Sequence, residues 1–314
     1  MLFKKETADS EVVDMFIKRL ISTILLLVVF GASIFAQDPL NKIVFLILSS
    51  LLTFALVREI CDIVKNIGME TFKNETALCC MLSIFSFNSV LIMLLSPFCR
   101  IGKTFMLTFA VLFCIALTGP LFILFSKNSG EKIRKLLNSI SIFFFVFVPI
   151  LFIVGIYHFG NKFYINKFNY YFLIFVLLTK IGDIGAYVIG TVSNKLMKGG
   201  NHKMVPSISP GKSWEGAVGG LTVTIALSLV FHYWLPYYDI VKNVPIAVVV
   251  GILIFFGGMA GDLMESSLKR AAGVKDSGTT IPGIGGVFDL VDSLFVTAPL
   301  TALINIFLFI SFLP

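Results

Sequence analysis

The chain has 314 residues, of which 57% are hydrophobic and only 14% charged, with a mean hydropathy of +0.94. That balance excludes an ordinary soluble domain and a disordered chain alike, because both carry more charge and less apolar surface. The formal net charge of +7 does not argue for nucleic acid: no basic stretch carries interleaved stacking aromatics, and basic flanks of membrane helices account for the cations.

Apolar runs near the roughly 20 residues that cross a bilayer as helix fall at about 16–36, 40–57, 78–98, 105–125, 139–160, 169–190, 214–235, 244–265 and 287–312. The expected fold is an all-α integral membrane protein of about nine transmembrane helices. Lys18 and Arg19 before the first run raise the question of a signal peptide. The run continues for a full span without a small-x-small cleavage pattern near Ala36, so it reads as a retained helix. With the N-terminus in the cytoplasm, eighteen Lys and Arg residues flank that side and six the other. The bias predicts N-terminus in, with the loops 191–213 and 266–286 facing the cytoplasm.

Residues 1–135 read as scaffold and lipid-contacting helices that could also carry a dimer surface. Their five cysteines, Cys61, Cys79, Cys80, Cys99 and Cys114, lack metal-type spacing and read as packing residues. His158, His202 and His232 are scattered. Residues 136–314 read as the catalytic region, because the polar residues in unexpected places come after Phe168.

The sixth run contains KIGDIGAYVIG, which places Lys180, Asp183 and Tyr187 one turn apart on one helical face. Asp183 and Tyr187 are expected to line a polar cavity at the cytoplasmic end, unless Lys180 and Asp183 form a packing pair. The next segment, SISPGKSWEGAVGG, is no Walker A loop, since Pro206 stands where that motif needs glycine. Ser209 and Pro210 lead instead into a helix start, where Lys212 and backbone N–H groups are available to an anion. Gly216, Gly219 and Gly220 read as close helix packing.

The eighth run ends with Asp262, Glu265 and Ser266 on one face, followed by Ser267, Lys269 and Arg270. Asp289 and Asp292 share a face in the ninth, beside Ser293, and PGIGG precedes them. Each charge at mid-helix costs about 2.5–3.5 kcal/mol on insertion scales, so several together point to an ion or phosphate. Hard oxygen ligands on two helices suit magnesium, which takes a few carboxylates with waters and substrate phosphates; zinc would want nitrogen or sulfur. The alternative is that Lys269, Arg270 and Lys275 merely neutralise Asp262, Asp276 and Asp289. PGIGG would let backbone N–H groups approach phosphate oxygens.

The order Ser266-x-Leu268-Lys269-Arg270, Lys275-Asp276-x-Gly278, Pro282-Gly283-x-Gly285-Gly286-x-x-Asp289-x-x-Asp292-Ser293 resembles the signature of the phosphatidate cytidylyltransferase family, also called CDP-diacylglycerol synthase. Gly261-Asp262 with Glu265-Ser266, SPGKSWEG and DIGAY resemble its other blocks, so the resemblance covers about residues 169–298. It implies reaction of CTP with phosphatidate to give CDP-diacylglycerol and pyrophosphate, with bilayer lipid as surroundings and a homodimer as the assembly. It implies catalytic roles for Asp262, Ser266, Lys269, Asp289 and Asp292. A two-metal centre of Mg²⁺, with K⁺ as candidate second ion, would be held by Asp262, Ser266, Asp289 and Asp292. Asp183, Tyr187, Ser209, Lys212, Glu215, Arg270, Lys275, Asp276, Gly285 and Gly286 would contact substrate. The implied location is a bacterial cytoplasmic membrane.

Four positions depart from the family's usual residues: Ile284 for His, Leu290 for Arg, Gly211 for Lys and Ser213 for Thr. They point to a subfamily with a rewired pocket. Alternatives to this function are a related CTP-using lipid enzyme, of CDP-archaeol synthase or polyprenol kinase type, a cation-coupled transporter, or a non-catalytic lipid-binding relative. Against transport, no inverted repeat is visible.

Overall fold

The computed structural model describes residues 2–94, 129–163, 169–234 and 243–311. They form eight long helices, α1 (Leu2–Phe35), α2 (Leu40–Asn66), α3 (Lys73–Leu94), α4 (Ser129–Phe163), α5 (Tyr170–Leu196), α6 (Trp214–Trp234), α7 (Val244–Ala271) and α8 (Val287–Ser311). Between α5 and α6 lies an antiparallel hairpin, β1 (Lys203–Val205) and β2 (Ser209–Ser213). All eight helices are long and apolar enough to cross a bilayer. The expected segment 105–125, with Cys99 and Cys114, lies outside the described residues.

Several helices outrun the apolar stretches that announce them. The expected 40–57 segment is the start of α2, which continues to Asn66. Arg58, Glu59 and Lys65 end the apolar run but are good helix formers, so the helix continues. In α7 the extension to Ala271 places Lys269 and Arg270 in the last turn, where the helix dipole favours cations. Pro149 and Pro299 lie inside α4 and α8, as membrane helices tolerate when neighbours satisfy the freed carbonyls.

The described chain falls into two compact units, each assembled from separated stretches. The first comprises residues 1–147 and 272–290. Here α2 packs against α1 and α3, burying Leu56, Val57, Ile60, Cys61 and Ile63. Asn88 Nδ2 donates to Ser49 Oγ at 3.1 Å across the buried α2–α3 contact. The turn after α2 is tied to α4 by the Phe72 N–H, which donates to Ser139 Oγ at 2.9 Å. Cys61 and Cys80 are buried and Cys79 half-buried, all as free thiols, which agrees with their reading as packing residues.

The second unit comprises residues 148–271 and 291–314. Its core joins α5 and α7 through Ile174, Leu178, Ala247, Val250 and Ile254. Along α5 and α6 the backbones approach closely. A Cβ on Gly216 would stand 2.7 Å from the Ala186 carbonyl oxygen, and one on Gly220 would stand 2.6 Å from that of Gly182. The packing role expected of these glycines is therefore present as a steric requirement. Gly261 does the same where α7 meets α8, since a Cβ there would collide with the Asp292 carbonyl. The core shared by α5 and α7 and the Gly261 contact bring the polar residues of α5, α7 and α8 to one place.

Candidate functional site

In the second unit, Lys180 and Asp183 of α5, Lys212 of β2, Asp262 of α7 and Asp292 of α8 form one charged constellation. Lys212 Nζ donates to Asp262 Oδ2 at 2.9 Å. Lys180 Nζ donates to Ser293 Oγ at 2.7 Å and to Asp292 Oδ1 at 3.3 Å, while Asp183 Oδ2 lies farther, at 3.8 Å. The sequence suggested Asp183 as the partner of Lys180; the closer contacts are on α8, more than a hundred residues away.

Three carboxylates and two ammonium groups leave one negative charge in excess. The charges of Asp183, Asp262 and Asp292 act on one another, which a low-dielectric setting amplifies. Asp292 is further held by its own chain, because the Ser293 N–H donates to Asp292 Oδ1 at 2.7 Å. Asp262 Oδ1 is buried and finds no hydrogen-bond partner among the described residues. A buried carboxylate oxygen left without a donor is costly, and a cation or a donor group of a ligand would satisfy it.

The hairpin that presents Lys212 is fixed from both ends. Val205 pairs with Ser209 and Lys203 with Ser213. Ser213 Oγ then accepts from the Gly216 N–H at 3.1 Å, a cap on the first turn of α6. Glu215 accepts from the His202 N–H at 3.1 Å and contacts His202 Nδ1 at 2.6 Å. That pair closes the loop onto α6. Arg270 Nε donates to the Ile208 carbonyl at 3.3 Å, so the end of α7 also steadies the hairpin.

Lys269 pairs with buried Glu265 at 2.8 Å, one turn away in α7. The suggested neutralisation of Asp262 by Lys269 or Arg270 gives way to neutralisation by Lys212. The reason is helical direction: Lys269 stands four residues after Glu265 and therefore over it. Ser266, one turn after Asp262, is half-buried. Tyr187 is 74% exposed, on the face of α5 one turn beyond Asp183.

The remaining signature residues lie in the first unit. Asp289, in the first turn of α8, accepts from the Gly286 N–H at 3.0 Å and from the Ser277 N–H at 3.3 Å. The loop before it is tight, with Gly283 and Gly285 at positive φ; Ile281 and Gly285 bridge through the Ile281 N–H at 2.9 Å, and the Gly285 N–H returns to the Ile281 carbonyl at 3.1 Å. The N–H groups of Gly285 and Gly286 are thus engaged within the loop. Lys275 and Asp276 are exposed.

Sequence reasoning missed Glu59 of α2. It is buried, at 5% exposure, and accepts from the Val287 N–H at 2.9 Å and the Phe288 N–H at 3.0 Å. It also accepts from the hydroxyls of Ser277 and Thr280. The signal was available: an acidic residue in a predominantly apolar helix, in the run ALVREICDIV, is as unusual as those of the second half.

Among the described residues no three His, Cys, Asp or Glu side chains form a ready-made metal cage. Magnesium does not require one, since it binds through one or two carboxylates plus water and substrate phosphate. The hard oxygens of Asp262 and Asp292 and the unpartnered Asp262 Oδ1 fit that mode.

Residues 17–308 match the model of the cytidylyltransferase family, a wider span than the motifs alone mark out. A phosphatidate cytidylyltransferase of Staphylococcus haemolyticus is 39% identical over 131 residues, which are 42% of this chain and 47% of that protein. Enzymes of the same name from Staphylococcus epidermidis strain ATCC 12228 and Staphylococcus aureus strain COL are each 40% identical, over 130 and 131 residues. The alignments span about half the length of these curated relatives, 46% and 47% of the latter two.

Proposed function

Because this chain belongs to the cytidylyltransferase family, we propose that it transfers CMP from CTP to phosphatidate, giving CDP-diacylglycerol and pyrophosphate. The observation that carries the reading is the constellation of Lys180, Asp183, Lys212, Asp262 and Asp292, with two lysines already balancing carboxylates beside an unpartnered Asp262 oxygen. Such a place can receive phosphates and the cation that accompanies them.

In this reading the lipid phosphate is the nucleophile and attacks the α-phosphorus of CTP, while the bond to the β-phosphate breaks. A phosphate monoester has a second pKa near 6, so it is largely dianionic at neutral pH and needs no strong general base. The obstacle is repulsion between two anions, and catalysis reduces to positioning and neutralisation. Lys212 would exchange its bond to Asp262 for one to a triphosphate oxygen. Lys269, Arg270 and Lys275 are the further cations we assign to the triphosphate. Asp183, Tyr187, Ser209 and Glu215 would shape the nucleotide pocket, Glu215 by holding the hairpin.

Asp262 and Asp292, assisted by Ser266, would hold Mg²⁺; Asp289 is a further proposed ligand on the strength of the sequence signature alone. When bound, the ion supplies charge neutralisation between the phosphates and at the departing pyrophosphate. The distribution of Lys and Arg supports a cytoplasmic site, where CTP is available.

The test is transfer of label from cytidine-labelled CTP into organic-extractable lipid by purified protein in mixed micelles, with phosphatidate as acceptor and magnesium present or chelated. Magnesium-dependent labelled lipid is expected. No transfer from folded protein onto phosphatidate would reject the proposal, and screening other lipid phosphates would then locate the acceptor.

A further inference from the structure

Glu59 joins α2 to the segment that carries the family signature, in a way that explains several of its residues. The first N–H groups of a helix have no partner within it. At the start of α8, the Gly286 N–H goes to Asp289, three residues on, as in a capping box. The next two, of Val287 and Phe288, go to the two oxygens of Glu59 at 2.9 and 3.0 Å. A carboxylate at a helix N-terminus is also favoured by the helix dipole. Each Glu59 oxygen takes a second donor from the loop, Thr280 Oγ1 on one side and Ser277 Oγ on the other.

The glycines of the loop make room for this carboxylate. A Cβ on Gly286 would collide with Ser277 Oγ and stand 2.6 Å from Glu59 Oε2, and one on Gly278 would stand 3.0 Å from Glu59 Cδ. Ser277 itself is shared, its hydroxyl bonding Glu59 while its N–H bonds Asp289. Glu59 and Asp289 are thus connected through Ser277 and through the first turn of α8.

We propose that Glu59 is a positioning residue for cytidylyl transfer, whose carboxylate fixes residues 277–288 to α2 and so sets the orientation of Asp289. The inference rests on the function proposed above for its catalytic consequence, though not for its structural content. It also assigns the α8 N-terminus to the protein's own carboxylate, and leaves phosphate recognition to the lysines and arginine.

The test uses Glu59→Gln, which keeps size and removes charge. In either orientation its amide nitrogen faces one of the two backbone N–H groups, so one bond is lost and a repulsive contact replaces it. Loss of an outer partner of a metal-binding group costs about 10–100-fold in activity or metal affinity. The expected result is a fall of that size in kcat, with KM for CTP changed by less than about threefold, the pattern of lost transition-state interaction. Trypsin should cleave folded Glu59→Gln protein faster at Lys275, which is exposed two residues before the tethered segment. Combined with Thr280→Val, the kcat losses should not multiply, because both variants break the same tether.

Wild-type kcat, a fall confined to KM, multiplying effects or an unchanged cleavage rate would each overturn the proposal. If Glu59→Gln yields no folded protein, Thr280→Val alone decides, with faster cleavage at Lys275 and lower kcat expected and wild-type behaviour counting against. Should wild-type protein transfer no CMP, the functional proposal fails, while the cleavage rate at Lys275 still decides whether Glu59 fixes the loop.

Discussion

Lys212 and Asp262 meet at 2.9 Å, so the lysine of the β2 strand occupies one oxygen of a carboxylate that we propose as a magnesium ligand. A half-buried ammonium and a carboxylate in this setting compete with ligands for each other. In the proposed function, arrival of CTP would give Lys212 a phosphate and release Asp262 to a cation.

That competition predicts a split response for Lys212→Met. Loss of one phosphate contact should raise KM for CTP about tenfold, equivalent to 1.4 kcal/mol. The Mg²⁺ concentration needed for half of the thermal shift in the absence of CTP should fall, because the ammonium no longer competes for Asp262. Titrating Mg²⁺ against the melting transition in detergent checks this. A variant needing more Mg²⁺ would show that Lys212 supports the metal rather than competing with it.

Asp289→Asn should abolish magnesium-dependent turnover in folded protein. The amide keeps an oxygen for the Gly286 and Ser277 N–H donors, so the capping turn survives while the negative charge is lost. Turnover and a melting curve together make the check, and turnover near that of the wild type would remove Asp289 from the proposed ligands.

The two halves of the chain were not equally legible. Hydropathy located eight described helices because a bilayer imposes a minimum apolar length, and it misjudged their ends because α2 and α7 continue as helices once the apolar run stops. Asp183, Lys212, Asp262 and Asp292 were all singled out by type and spacing. Their pairing was not, since Lys212 and Asp262 are fifty residues apart and Lys180 and Ser293 more than a hundred. Glu59 was overlooked for a different reason: half of its donors are backbone N–H groups of a distant helix, and these have no residue-type signature.

Lys180→Met should destabilise the protein more than Lys212→Met does. Lys180 serves Ser293, Asp292 and Asp183 together, so its removal leaves two carboxylates without their cation. Removing one partner of a buried pair costs about 3–5 kcal/mol; Lys180 is 31% exposed, and solvent screening reduces this to roughly 1–3 kcal/mol. Melting in detergent measures the loss, and added Mg²⁺ should recover part of it by supplying replacement charge. Equal stability of the two variants would show that the three contacts of Lys180 contribute no more than the one of Lys212.

Ile284→His tests whether the rewired position touches a phosphate. Ile284 sits half-buried in the turn between Ile281 and Gly285, where an imidazole could donate to an anion. If the turn faces substrate, the variant should lower KM for CTP or phosphatidate by about threefold to tenfold, the worth of roughly one added charge-assisted hydrogen bond with part of its gain lost to desolvation. Kinetics with each substrate varied in turn separates the two. An unchanged KM for both would mean that Ile284 packs the loop that Glu59 tethers and has no part in phosphate recognition.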